Sequence, residues 1–192
     1  MLYSAGAACV YLALAGALVL VPMNPTPAQI IPDTTLGAEG SLVSPGMEVG
    51  GEMANLIEGG AIRGGNLFHS FLDFNVDAGG RVYFANPAGI ESILSRVTGG
   101  DPSNIFGTLG VDGGADLFLI NPNGIVFGEM ARLDIAGSFY ASTAAAIPLG
   151  DGVYSATEPE QSQLLTVNPS VLFSNYLTEA SGNVENRGAL AA

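Results

Sequence analysis

From Gln29 onward the chain is never free of a turn signal for long. Glycine- or proline-centred breaks recur every 8 to 15 residues or so, among them Pro45-Gly46, Gly59-Gly60, Gly64-Gly65, Gly79-Gly80, Gly99-Gly100 and Gly113-Gly114. An isolated helix needs about 12 to 15 residues to be even marginally stable, and the punctuation leaves no convincing amphipathic stretch of that length. Between the breaks lie short β-type runs. Leu72, Phe74 and Val76 alternate with Asp73, Asn75 and Asp77, which reads as a half-buried strand. Leu133, Ile135, Gly137 and Phe139 alternate in the same way. Leu117 to Ile120 and Ile125 to Phe127 are continuously apolar, as expected of strands covered on both sides or stacked in a solenoid. Glu91 to Val97 is open between one helical turn and a strand. The Ala-rich patch from Ala141 to Ala146 is short and stops before Pro148. Composition agrees: 27 Gly, 11 Pro and no Lys in 192 residues make a helix bundle improbable and an all-β architecture the expectation.

Two of these runs end in a similar way. Tyr83 to Ile90 echoes Phe118 to Ile125, and their Asn-Pro pairs lie 121 − 86 = 35 residues apart. A third pair, Asn168-Pro169, follows 168 − 121 = 47 residues later, the excess falling in a polar stretch, Leu149 to Gln163, that reads as a protruding loop. Fixed-period similarity implies stacked units. At roughly 20 to 30 residues per coil, the chain from Gln29 would make about six to eight coils. In Asn121-Pro122-Asn123-Gly124 the first Asn can accept from the backbone two residues on, Pro presets φ, and Gly suits the fourth position of a type I turn. Type I turns splay hairpins, so such a corner favours a coil over a hairpin.

The stretch from Leu2 to Val21 carries no charge and approaches the length that spans a bilayer. Prolines follow it, and the small residue Ala28 before Gln29 suits signal-peptidase cleavage, giving a signal peptide over 1–28 and a mature domain over 29–192. The positive flank usual in such signals is missing here, so a retained anchor is the alternative. The single cysteine, Cys9, lies in this segment, at a place unsuited to lipidation. A cleaved chain would contain no thiol, leaving no disulfide framework and no thiolate zinc site. Periplasmic oxidation could not then trap it folded. The formal net charge is −13, with five Arg against 18 acids, which excludes a phosphate-binding stripe for nucleic acid and disfavours an anionic membrane.

With these segments in order, the sequence resembles the haemagglutination-activity, or two-partner-secretion, domain of filamentous haemagglutinin-type exoproteins, in the form common in cyanobacteria. The resemblance is carried by Phe68 to Val76, Ser95 to Gly100, Leu117 to Gly128, Ala131 to Asp134, Gly137 to Phe139, Ala141 to Thr143 and the opening from Ala28 to Gly37. It implies a right-handed parallel β-helix with an N-terminal cap and extra-helical strands. It also implies a secretion-targeting role: the unfolded domain is recognised in the periplasm by the soluble repeats of an outer-membrane β-barrel transporter, then exported and folded at the cell surface. Two Asn-Pro motifs mark the family. One is intact at Asn121, Pro122, Asn123, Gly124 and Ile125. The other is altered here to Asn86-Pro87-Ala88-Gly89-Ile90, where Asn86 and Pro87 remain to make the same turn. These residues are the candidates for transporter recognition, with a purely structural corner as the alternative. The family domain usually continues into a long shaft, so the chain is expected to be truncated at its C-terminal end, where an open solenoid end would favour self-association.

No enzyme, metal or cofactor is expected. His69 is the only histidine and has no Gly-x-Ser-x-Gly nucleophile near it, which makes it a packed structural residue. Asp73 and Asp77, at i and i+4 on one strand, would stand about 13 Å apart, too far for a retaining carboxylate pair. The Asp-Gly clusters at Asp101 and at Asp112 to Asp116 read as turns, since the nonapeptide calcium repeat is missing. The rival functions are a surface adhesin or carbohydrate-binding β-helix, with a cell-surface or glycan ligand, and a polysaccharide lyase. The lyase would need basic residues clustered on one lateral face.

Overall fold

The computed structural model describes residues 29–169 and 182–190. The expected signal segment, with Cys9 and Ala28, lies outside them. The described chain is all-β and forms a β-solenoid of about three turns. It opens with β1 (Ile30–Pro32), β2 (Ser41–Val49), β3 (Glu52–Gly59), β4 (Ala61–Arg63) and β5 (Asn66–Phe74). There follow β6 (Arg81–Ala85), β7 (Ser92–Val97), β8 (Ser103–Ile105), β9 (Thr108–Asp112), β10 (Asp116–Ile120) and β11 (Ile125–Phe127). The last are β12 (Arg132–Asp134), β13 (Phe139–Ser142), β14 (Ala146–Leu149), β15 (Gly152–Ser155) and β16 (Val184–Asn186).

Three walls repeat in chain order. The first stacks β3, β6, β9 and β12 in parallel; the second stacks β5, β7, β10 and β13; the third stacks β8, β11 and β16, with Val76 bridging to Ile105 below them. In the second wall, Phe68 lies beside Leu94, Leu94 beside Phe118, and Phe118 beside Tyr140. Most steps between coils run from 127 − 105 = 22 residues to 105 − 76 = 29, while the step from β11 to β16, 184 − 125 = 59, takes in the excursion after β13. The rim of the first coil is antiparallel. There β2 folds back on β3, while β1 and β4 flank β5.

The tube is filled from all three walls, by Ile57, Val82, Phe84 and Leu109, by Leu67, Ile93, Val97 and Leu117, and by Val76, Ile105, Ile125 and Phe127. Phe71, Phe74 and Phe84 fill its N-terminal end, with ring centroids 5.2 to 6.3 Å apart. The second wall is buried on both faces. Its outer residues Phe68, Leu94, Phe118 and Ile120 pack under Ile147, Leu149 and Tyr154. That double burial explains the continuous apolar run of Leu117 to Ile120, and all six residues of β7 are buried. Glu91 to Val97 is thus resolved in favour of a strand.

Several sequence expectations are corrected. Six to eight coils become about three turns, because the rim and the excursion after β13 consume residues without adding coils. The stretch from Leu149 to Gln163 does not protrude. Leu149 closes an antiparallel hairpin of β14 with β15, and a short 3-10 turn, Pro159–Gln161, follows as that segment packs over the second wall. Leu72 is exposed while Phe71 and Phe74 are buried, because the register against β1 shifts between Ile31 and Pro32 and one residue of β5 bulges out. Asp77 lies beyond the end of β5, so it does not share a strand with Asp73.

Candidate functional site

The 35-residue echo is not the coil period. Asn86 follows β6 and turns the chain from the first wall into the second. Asn121 follows β10 and turns it from the second into the third. The two Asn-Pro corners therefore sit at different vertices of the coil. Asn168-Pro169, the third pair, belongs to the excursion, beside Glu91, Asp116 and Tyr140.

The Asn121 corner closes as its residues predict. The Gly124 N–H donates to the Asn121 carbonyl at 3.1 Å, and the Asn123 N–H donates to Asn121 Oδ1 at 2.9 Å. Both are bonds of a turn with an Asx cap. The side chains then tie this corner to the preceding coil. Asn121 Nδ2 donates to the Asp101 carbonyl and to Ser103 Oγ, each at 3.0 Å, and Asn123 Nδ2 donates to the Gly99 carbonyl at 2.7 Å. Asn121 is 0% exposed. Gly124 takes φ +125, a conformation open to glycine and strained for a residue with a β-carbon. Ile125 drops straight into the tube, fully buried. A depression of about 300 Å³ separates Pro122 and Asn123 from Thr157 and Pro159 of the excursion.

The Asn86 corner is built differently, against expectation. Its turn bond runs from Ile90 N–H to the Pro87 carbonyl at 3.2 Å, so the turn is displaced by one residue, and Gly89 occupies its third position at φ +86. Glycine at that third position accepts the positive φ that a type II turn requires. Asn86 is freed for a longer reach. Its Oδ1 accepts from the Ala115 N–H of the next coil at 3.0 Å, and its Nδ2 donates to the Ile90 carbonyl at 3.1 Å. Pro87 is exposed. The recognition candidates thus form two separate corners, one sealed and one partly open, rather than one site. Gln29, on the mature side of the expected cleavage, is exposed and accepts from the Asn75 N–H at 3.0 Å.

A second polar constellation carried no role in the sequence reading. Arg96 is 1% exposed on the outer side of β7. Its Nε donates to Ser70 Oγ at 2.8 Å. Its terminal nitrogens donate to the Ser155 carbonyl and Ser162 Oγ, both at 2.6 Å, and to Thr35 Oγ1 at 2.8 Å. The guanidinium also lies 4.2 Å from the centroid of the Tyr154 ring. Its counter-charge, Asp33, is reached through hydroxyls: Asp33 accepts from Thr35, from Ser70 Oγ at 2.7 Å and from Thr98 Oγ1 at 2.7 Å. Burial works against the Asp33 carboxylate, but the hydrogen bonds from Thr98, Ser70 and Thr35 outweigh it and hold its pKa below the usual value of 3.8. Arg96 thereby joins the N-terminal segment, the second wall and the excursion. The available signal was an arginine set in the otherwise small and apolar run from Ser92 to Val97.

His69 is structural, as expected, with Nδ1 2.9 Å from Ser41 Oγ and its ring against Phe71 and Phe84. Burial depresses its pKa from 6.5 to about 3, so it is neutral at ordinary pH. Among the described residues no group of three or more His, Cys, Asp or Glu is placed to hold a metal ion, and no helix is long and apolar enough to cross a membrane. Arg63, Arg81 and Arg187 pair with Glu39, Glu52 and Glu185, on separate parts of the surface.

Comparison with known proteins gives one family. The model of the TPS secretion domain matches residues 28–187. No curated protein matches the chain.

Proposed function

Because this chain belongs to the TPS secretion domain family, we propose that it is the secretion-targeting module of a two-partner-secretion exoprotein, engaged in the periplasm as an extended polypeptide. Its partner is the periplasmic repeat region of a dedicated outer-membrane β-barrel transporter, which it meets by strand addition to a sheet edge. Signal cleavage between Ala28 and Gln29 precedes this step. The segment from Asn121 to Ile125 is read first as an extended strand, with Asn86 and Pro87 as the second contact, and it closes into its corner on the outside. The module performs no chemistry on a substrate.

The observation that supports this reading most is the burial of Asn121. Both ends of its carboxamide are committed inside the folded coil, and Ile125 lies in the tube. A partner can therefore read these side chains only before folding. The test is an Asn121→Ala/Asn123→Ala double variant, assayed for export through its transporter and separately for refolding of purified protein. Loss of export beyond what the refolding defect explains supports recognition. Normal export of a variant that refolds poorly leaves the corner a folding element alone.

A further inference from the structure

Asn123-Gly124 is the one Asn-Gly pair in the sequence. Four asparagines precede proline, whose nitrogen carries no proton to lose. The other seven precede Leu, Val, Ile, Tyr or Arg, whose side chains crowd the following amide. Glycine leaves that amide open. In a mobile chain the Gly124 main-chain nitrogen, once deprotonated, can attack Cγ of Asn123. The Cγ–Nδ2 bond then breaks, ammonia leaves, and a five-membered succinimide remains. Water opens the ring at either carbonyl, giving aspartate or isoaspartate at position 123. No oxidant or cofactor takes part.

The folded corner withholds each component of that reaction. The attacking Gly124 N–H is donated to the Asn121 carbonyl at 3.1 Å. The leaving nitrogen, Nδ2, is held on the Gly99 carbonyl of the preceding coil at 2.7 Å. The Asn123 N–H is pinned by Asn121 Oδ1, and Gly124 is buried, with the Asn183 carbonyl and Pro102 close around it. Closing the ring requires rotating the Asn123 side chain off Gly99 and freeing Gly124 from its turn, which means opening the corner.

We propose that Asn123-Gly124 is a self-deamidation site gated by folding: the unfolded chain reacts there and the folded coil does not. The product also bars the way back. Aspartate at 123 has no Nδ2–H for the Gly99 carbonyl and sets a carboxylate against it. Isoaspartate also adds a methylene to the main chain inside a turn whose bonds span only positions 121 to 124. Residue 123 thus records the time a chain spends unfolded, and a chain held too long loses the corner it needs to fold. This chemistry does not depend on how a transporter reads the segment.

The test uses the purified wild-type chain in mildly alkaline buffer, one sample folded and one held in urea, with peptide mass mapping over time. The expected result is that the peptide containing Asn123 gains the mass of an amide-to-acid change in urea before any other asparagine does. In the folded sample this change is slower by about tenfold or more, the factor set by even a modest local opening cost. On removal of urea the modified fraction stays open to protease, while an Asn123→Gln chain treated identically refolds as well as it did before treatment. Equal rates in the two samples, prior reaction at another asparagine, or refolding of the modified fraction with an unchanged urea midpoint would each overturn the proposal.

Discussion

Replacing Asn121 by alanine removes every hydrogen bond of a fully buried carboxamide. The carboxamide gives two, to the Asp101 carbonyl and Ser103 Oγ at 3.0 Å, and receives one from the Asn123 N–H at 2.9 Å and a longer one from Asn123 Nδ2 at 3.4 Å. Each bond is worth about 1 kcal/mol net, and an orphaned buried partner costs about 1 to 3 kcal/mol. Asp101 is exposed and its carbonyl can hydrate, whereas Ser103 is fully buried. The expected loss is therefore about 2 to 4 kcal/mol. With a urea slope of about 2 to 3 kcal/mol/M, the unfolding midpoint should fall by roughly 0.7 to 2 M with little change in slope. Asn86→Ala supplies the comparison. It orphans the Ala115 N–H, but its other bonds reach the carbonyls of Ile90 and exposed Pro87, so about 1 to 2 kcal/mol is expected. Urea unfolding of the purified variants, followed by circular dichroism, measures both. An Asn121→Ala shift no larger than that of Asn86→Ala would refute the claim that the two corners differ in burial and in role.

Arg96→Met should free the excursion from the second wall before the coil itself melts, because Ser155, Ser162 and Thr35 lose their shared donor while Asp33 keeps its hydroxyl partners. Increased dye binding to the uncovered Phe118 and Ile120, faster proteolysis within residues 143–165 and a loss of about 2 to 4 kcal/mol are expected. Unchanged proteolysis would remove Arg96 from that role. Stability should also fall on acidification below pH 6.5. There the unfolded chain protonates His69 while the folded chain, with its pKa near 3, does not, so the unfolded state binds more protons and the loss approaches about 1.4 kcal/mol per pH unit. Asp33 adds to the loss only below about 3.8, as its depressed folded pKa is approached. A His69→Gln variant should flatten the profile between pH 6.5 and about 4, and an unaltered slope would place the proton uptake elsewhere.

The fold class was legible because punctuation and short apolar runs leave few alternatives, and the Asn121 turn could be drawn bond by bond from its four residues. What stayed hidden depended on contacts distant in sequence. Asn86 and Asn121 look alike in the chain, yet with Ala88 where the other motif has Asn123, one turn closes on Pro87 and the other on Asn121. Nothing local states which vertex of the coil each occupies. Leu72 fits the alternating pattern better than Phe71 does, but pairing with β1 introduces a bulge that local periodicity cannot show. The excursion looked polar and loop-like because only a few of its residues, Ile147, Leu149 and Tyr154 among them, meet the second wall. The role of Arg96 required Thr35 and Ser162 to be brought to it from 61 and 66 residues away.

If the chain crosses the outer membrane unwound and coils afterwards, as proposed, a covalent link between two coils should stop it. Thr108 and Arg132 are direct partners on adjacent parallel strands of the first wall. Neighbouring strands lie about 4.8 Å apart, a spacing that a disulfide can bridge. A Thr108→Cys/Arg132→Cys chain oxidised in the periplasm should be held back there, with export restored by a membrane-permeant reductant and with each single-cysteine variant exported normally. Arrival outside of the disulfide-linked chain, as efficiently as the unaltered one, would contradict passage of an extended polypeptide.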